Sequence, residues 1–169
     1  MKTTTQKIVV AALLASLVCV CTMVIRIPSP LNGYVNLGDC IVLLAAWLIS
    51  PLYAFLAAGI GSALADLFSG YVAYAPATFL VKGAMAIIAY VVFTWLIKKK
   101  KPFIARLAGG ILAELFMVAG YYLFEGFLYG FVSSLVNIPA NAVQGAAGLL
   151  FGMLLIHLLE KQKTLNFLK

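Results

Sequence analysis

Apolar residues in this chain do not recur with the 3.6-residue period of a half-buried helix; they fill whole stretches, broken by short clusters of proline, glycine and charge. A helix that is apolar on every side carries no amphipathic signal, so length decides, and a bilayer crossing takes roughly 20 such residues. The interruptions predict helices over about residues 8–26, 37–49, 52–68, 77–97, 103–124 and 139–159. The second and third are short for a full crossing and are expected to tilt or to span incompletely. IPSPLNGYVN after the first run reads as a loop from its prolines, glycine and asparagines, and Ser50-Pro51 as a tight turn. Glu125, Gly126, Gly130 and Asn137 are expected in a further loop between the last two helices.

Composition fixes the class. With 64% hydrophobic and 10% charged residues among 169, and a mean hydropathy of +1.09, the chain lies far from a soluble globular domain. The expected fold is all-α: one domain over residues 1–169, an integral membrane bundle of six transmembrane helices with no separate soluble part. The amino terminus resembles a secretory signal, but the run from Ile8 to Ile25 is too long for one and ends in Arg26 and two prolines without a small-x-small cleavage site. It reads as a retained first helix.

A net charge of +7 raises nucleic acid as a partner. The basic residues, however, sit in short flanks between apolar runs and form no aromatic-laced polar face, so none is expected. Membrane topology accounts for them better. Six crossings place both ends on one side, where Lys2, Lys7, Lys98 to Lys101, Arg106, Lys161, Lys163 and Lys169 all fall, while the other side holds Arg26. The positive-inside rule then puts both termini in the cytoplasm of a multi-pass cell-membrane protein, expected to be bacterial, with Asp39, Asp66 and Glu125 facing out.

No catalytic engine is visible: there is no HExxH, no GxSxG and no Walker loop, and His157 is the single histidine. Cys19, Cys21 and Cys40 have neither CxxC nor metal-ligand spacing and read as small buried hydrophobes. No enzyme activity, metal or cofactor is expected.

The charges inside the apolar runs are more telling, because the bilayer opposes each by a few kcal/mol or more. The stretch from Ala65 to Gly83 places Asp66 at the end of one helix and Lys82 just inside the next, with Gly70, Tyr71, Tyr74 and Pro76 between them. Lys82 lies roughly 8 Å below the outer rim of its helix and Glu114 roughly 17 Å above the inner end of its own. Two readings stay open. Lys82 pairs with Glu114 or snorkels outward, or one of the two offers a charged hydrogen bond to a polar ligand. Tyr71, Tyr74, Tyr121, Tyr122, Asn137, Asn141 and Gln144 all fall near the outer leaflet in this topology. Tyrosines there are expected as interfacial belt residues, whereas buried amides need partners. Aromatic walls with a few placed polar groups also suit a flat heterocycle.

Small residues recur at four-residue spacing in Ala11 and Ala15, with Ala12 and Ser16 beside them, in Gly59/Ala63 and Gly61/Ala65, and in Gly148/Gly152. Such stripes let helix backbones approach closely. The one on the first helix is the candidate face for another subunit.

The run from Gly33 to Gly83 carries NLGD at the start of the second helix, GIGSALADL in the third and YAPATFLVKG entering the fourth. In these motifs it resembles the substrate-binding S component of energy-coupling factor (ECF) vitamin transporters, in the branch that includes riboflavin, pyridoxine and hydroxymethylpyrimidine binders. The resemblance implies a small water-soluble vitamin held near the outer face and assembly with a membrane-embedded coupling subunit and two cytoplasmic ATPase subunits. It also implies delivery by toppling of the S component, with docking through Ala11 and Ala15. The expected substrate-binding residues are Asn36, Asp66, Tyr71, Tyr74, Lys82, Glu114, Tyr121, Asn137, Asn141 and Gln144. Because Trp47 and Trp95 lie toward the cytoplasmic side, a tryptophan-rich thiamine site is disfavoured; pyridoxine or hydroxymethylpyrimidine is favoured and riboflavin stays open. The competing readings are a self-sufficient proton-coupled secondary transporter using Glu114 and an assembly factor without a ligand.

Overall fold

Thr3 opens the first helix with a capping box: its hydroxyl accepts the Gln6 amide at 3.2 Å while the Gln6 side chain accepts the Thr3 amide at 3.3 Å. The helix, α1 (Thr4–Val24), starts a chain whose computed structural model describes residues 3–29, 31 and 33–162. Lys2, Lys163 and Lys169, which contribute to the charge asymmetry, lie outside the described residues. Beyond α1 come β1 (Arg26–Pro28), β2 (Tyr34–Asn36), α2 (Gly38–Leu48), α3 (Pro51–Phe68), α4 (Ala75–Leu96), α5 (Pro102–Tyr129), α6 (Phe131–Ser134), a 3-10 turn (Leu135–Asn137) and α7 (Ile138–Lys161). Helices α3, α4, α5 and α7 each carry a proline in the first two positions, where its missing N–H costs nothing.

Two segments expected as loops are ordered differently. IPSPLNGYVN contributes to an antiparallel hairpin in which Arg26 faces Asn36, Ile27 faces Val35 and Pro28 faces Tyr34. The exposed strand β1 covers the more buried β2 and pairs its backbone groups. Glu125 and Gly126 do not lie in a loop; they are buried in the last turns of α5, which runs on to Tyr129 before Gly130 breaks it with φ +89°. Asn137 ends the 3-10 turn that leads into α7.

Helices α1, α3, α4, α5 and α7 pack side by side in that order, and α2 fills the gap between α7 and α1 while also touching α3 and α4. The five outer helices are long and apolar enough to cross a membrane, with only 28% to 44% of each span buried inside the bundle, so most of each faces outward. Leu13, Leu52, Leu80, Val143 and Leu150 are among the apolar side chains on that outer surface. By contrast α2 has only eleven residues, ~16 Å of helix, and all but Leu48 are buried. Close approach holds the outer ring together. A Cβ on Gly61 of α3 would collide with the backbone carbonyl of Ala15 on α1, and one on Gly109 of α5 would come to 2.9 Å from the Ala89 carbonyl of α4.

Candidate functional site

Polar side chains converge where the hairpin meets one end of the bundle. The hairpin contributes Ser29, Gly33, Tyr34 and Asn36, α1 contributes Thr22, and α3 contributes Ser62 and Asp66. Tyr74, Thr78 and Lys82 come from the start of α4, Tyr121 and Glu125 from α5, and Asn141 and Gln144 from α7. On each helix these residues are three or four apart, so each set shares one face turned to a common space. They surround a hollow of about 430 Å³ of empty space, open mouth included.

The floor is a hydrogen-bonded network. Lys82 Nζ pairs with Asp39 Oδ1, and Gln144 Nε2 donates to Asp39 Oδ2 at 2.7 Å. Gln144 Oε1 in turn accepts the Asn36 amide N–H at 3.0 Å, and Asn36 Oδ1 caps the start of α2 by accepting the Gly38 N–H at 2.9 Å. One connected set thus ties the hairpin, α2, α4 and α7 together. The Lys82–Glu114 pair that helix depth allows does not form: Lys82 turns to Asp39. Glu114 is buried off the pocket, against Gly145 and Gly148 of α7, with both carboxyl oxygens unpartnered.

The walls are aromatic and acidic. Tyr34 donates to Asp66 Oδ1 at 2.5 Å, Tyr121 to Thr78 Oγ1 at 3.1 Å, and Tyr74 to the Leu31 carbonyl at 2.9 Å. Asn137 Nδ2 donates to Glu125 Oε1 at 2.9 Å. Burial, and then the neighbouring Asp66, push the Tyr34 phenol well above its ordinary range. Burial does the same for Tyr74, with Tyr129 and Glu125 beside it adding to the effect. Both hydroxyls therefore keep their protons and act as donors. Tyr71 stacks obliquely on Tyr34, with ring centres 4.7 Å apart, and meets Tyr74 edge-on.

Of the expected binding residues, Asn36, Asp66, Tyr74, Lys82, Tyr121, Asn141 and Gln144 line the cavity. Tyr71 and Asn137 stand behind lining residues, and Glu114 is outside. Asp39, Tyr34, Ser62, Thr78 and Glu125 were not among the expected binding residues. The helical spacing Ser62–Asp66, Thr78–Lys82 and Tyr121–Glu125 is a signal that finds three of them. On α1, Ala11 is buried and Ala15 half-buried behind Gly61, whereas Ala12 and Ser16 face outward.

Known proteins share this architecture. A solved structure described as "Structure and mechanism of the S component of a bacterial ECF transporter" superposes with a TM-score of 0.71 over 99% of both chains at 24% identity, so the fold is shared. An uncharacterized protein of Pyrococcus woesei is 36% identical over 146 residues, covering 86% of this chain and 95% of its own. The thiamine precursor transporter HmpT of Lactococcus lactis is 26% identical over 141 residues, 83% of this chain and 78% of its own. The family model for the ECF-type riboflavin transporter, S component, matches residues 2–161. The chain belongs to that family of membrane-embedded vitamin transporter components, which is not a family of enzymes.

Proposed function

We propose that this chain is the vitamin-binding subunit of an ECF importer in a bacterial plasma membrane. Its termini are cytoplasmic, and the cavity between the hairpin and the helix ends holds the vitamin near the extracellular face. The observation that supports this reading is the cavity itself: aromatic rings and a satisfied polar floor around an open space, at the end of the bundle away from Lys98 to Lys101 and Arg106. A coupling transmembrane subunit and two ATPase subunits supply energy, and toppling of the subunit delivers the cargo. A small pyridine or pyrimidine ring, as in pyridoxine or hydroxymethylpyrimidine, is the favoured cargo, a choice supported by the similarity to a thiamine precursor transporter, while the matching family model keeps riboflavin as the second candidate. Docking belongs to the outward face of α1 at Ala12 and Ser16, since Ala11 of the expected Ala11–Ala15 face is used within the bundle. The test is ligand identification by native mass spectrometry of the purified protein, together with uptake in cells with and without a coupling module. Full-rate uptake by the chain alone would sink the proposal.

One observation favours the self-sufficient alternative: Glu114 is buried with both oxygens unpartnered, as a proton-carrying site would be. Glu114→Gln separates the two. In a proton-coupled carrier it abolishes gradient-driven uptake in vesicles; in a binding subunit it leaves ligand affinity within about threefold, because Glu114 does not line the cavity.

A further inference from the structure

Two acidic side chains line the cavity with hydrogen-bonding capacity to spare. Asp66 and Glu125, each 3% exposed, reach it from helices on different sides of α4. In each carboxylate one oxygen is engaged, Oδ1 of Asp66 by Tyr34 and Oε1 of Glu125 by Asn137. The other oxygen of Glu125, Oε2, is buried without a partner, and Asp66 Oδ2 has none beyond the interaction of its carboxyl group with the nearby Thr78 hydroxyl. Several donors nearby already have partners: Lys82 spends one of its three N–H groups on Asp39, the Tyr121 hydroxyl goes to Thr78, and the Tyr74 hydroxyl goes to the Leu31 carbonyl and, at 3.4 Å, to Glu125 Oε1. With the Lys82 charge cancelled by Asp39, two acidic residues that each keep a spare oxygen line the ligand space, and Arg26 stands exposed on the hairpin. A buried acceptor left empty is costly, and a ligand that fills it recovers that cost.

We infer that the cavity selects a heterocycle presenting N–H donors, an amino-substituted or protonated ring, and that Asp66 and Glu125 are the residues that make the selection. This rests on the vitamin-binding reading above and deepens it. A ligand with a ring carbonyl where the amino group belongs turns an acceptor toward an acceptor, and a site built around buried hydrogen-bonding groups rejects such an analogue strongly.

The experiment uses matched pairs on the purified full-length chain by isothermal titration: 4-amino-5-hydroxymethyl-2-methylpyrimidine against its 4-oxo analogue, and pyridoxamine against pyridoxal. The amino member of at least one pair is expected to bind about tenfold tighter or more. Asp66→Asn or Glu125→Gln should shrink that ratio to about threefold or less, while the wild-type comparison stands even if either variant folds poorly. Equal affinities within both pairs, tighter binding of the carbonyl members, or a ratio unchanged in both variants would overturn the inference. Binding of riboflavin alone would also overturn it while leaving the vitamin-binding reading intact. The absence of any bound heterocycle, with no uptake alongside a coupling module, would overturn both.

Discussion

Lys82 on α4 and Asp39 on α2 form an ion pair whose side chains are 3% and 0% exposed. Removing one partner of a buried pair strands the other charge, which costs about 3–5 kcal/mol, whereas removing both costs much less. Lys82→Met and Asp39→Asn should each lower stability by about that amount, and the double variant should lose less than the sum of the two. Unfolding in detergent, followed by circular dichroism, measures all three; a neutral single variant would contradict the pairing.

Gly61 and Gly70 are both glycines on or beside α3, but for different reasons. A side chain at Gly61 runs into the Ala15 backbone, which cannot swing aside, so Gly61→Val should destabilise by about 1–3 kcal/mol or more. Gly70 has open space around it and φ +84°, and Gly70→Ala should cost about 1 kcal/mol through backbone strain alone. Melting temperatures of the two variants, compared with the unmodified chain, test the distinction.

Tyr34 carries a phenol whose proton is held more firmly in the folded chain than in the unfolded one. The folded state therefore binds more protons once the pH exceeds the ordinary tyrosine value of about 10, so this contribution is intact below that pH and is lost as the pH climbs above it. Tyr34→Phe should flatten the fall in stability between about pH 10 and 11 relative to the unmodified chain. Parallel slopes in urea titrations across that window would refute the firmer hold on this proton, which burial and then the neighbouring Asp66 provide.

Under the docking proposal, Ala12 and Ser16 on the outward face of α1 should separate docking from binding. Ala12→Leu or Ser16→Leu should leave vitamin affinity unchanged and lower uptake about tenfold or more in cells that contain the coupling module, because bulk on a small-residue face prevents backbone approach. Ala11→Leu, pointing inward, should instead reduce thermal stability. Loss of affinity in the outward variants would show that the two roles are not divided this way.

The helices were legible because hydrocarbon length is written directly in apolar runs, and prolines at Pro51, Pro102 and Pro139 mark starts that the helices obey. The hairpin was not, since its strands are three residues long and its docking rests on Gln144, far away in sequence. Depth along a helix is readable from residue number, but the direction a side chain faces depends on how the helices are rotated in the bundle. That is why Lys82 and Glu114 reach comparable depths while Lys82 finds Asp39. Glu125 read as a loop residue because a carboxylate near glycines signals an exposed turn; Asn137, folded back from the following segment, gives it a buried partner.

The short helix α2 occupies a private interior. Lipid tails solvate the outer five helices, and there one apolar side chain serves about as well as another, but α2 meets only protein and is judged by volume. Exchanging Leu13 for Phe changes what the bilayer touches; the same exchange at Leu43 forces an extra ring into a place already full. Between Asn36 and Leu48 the chain obeys the rules of a water-soluble core, although the helices packed around it are apolar on their outer faces.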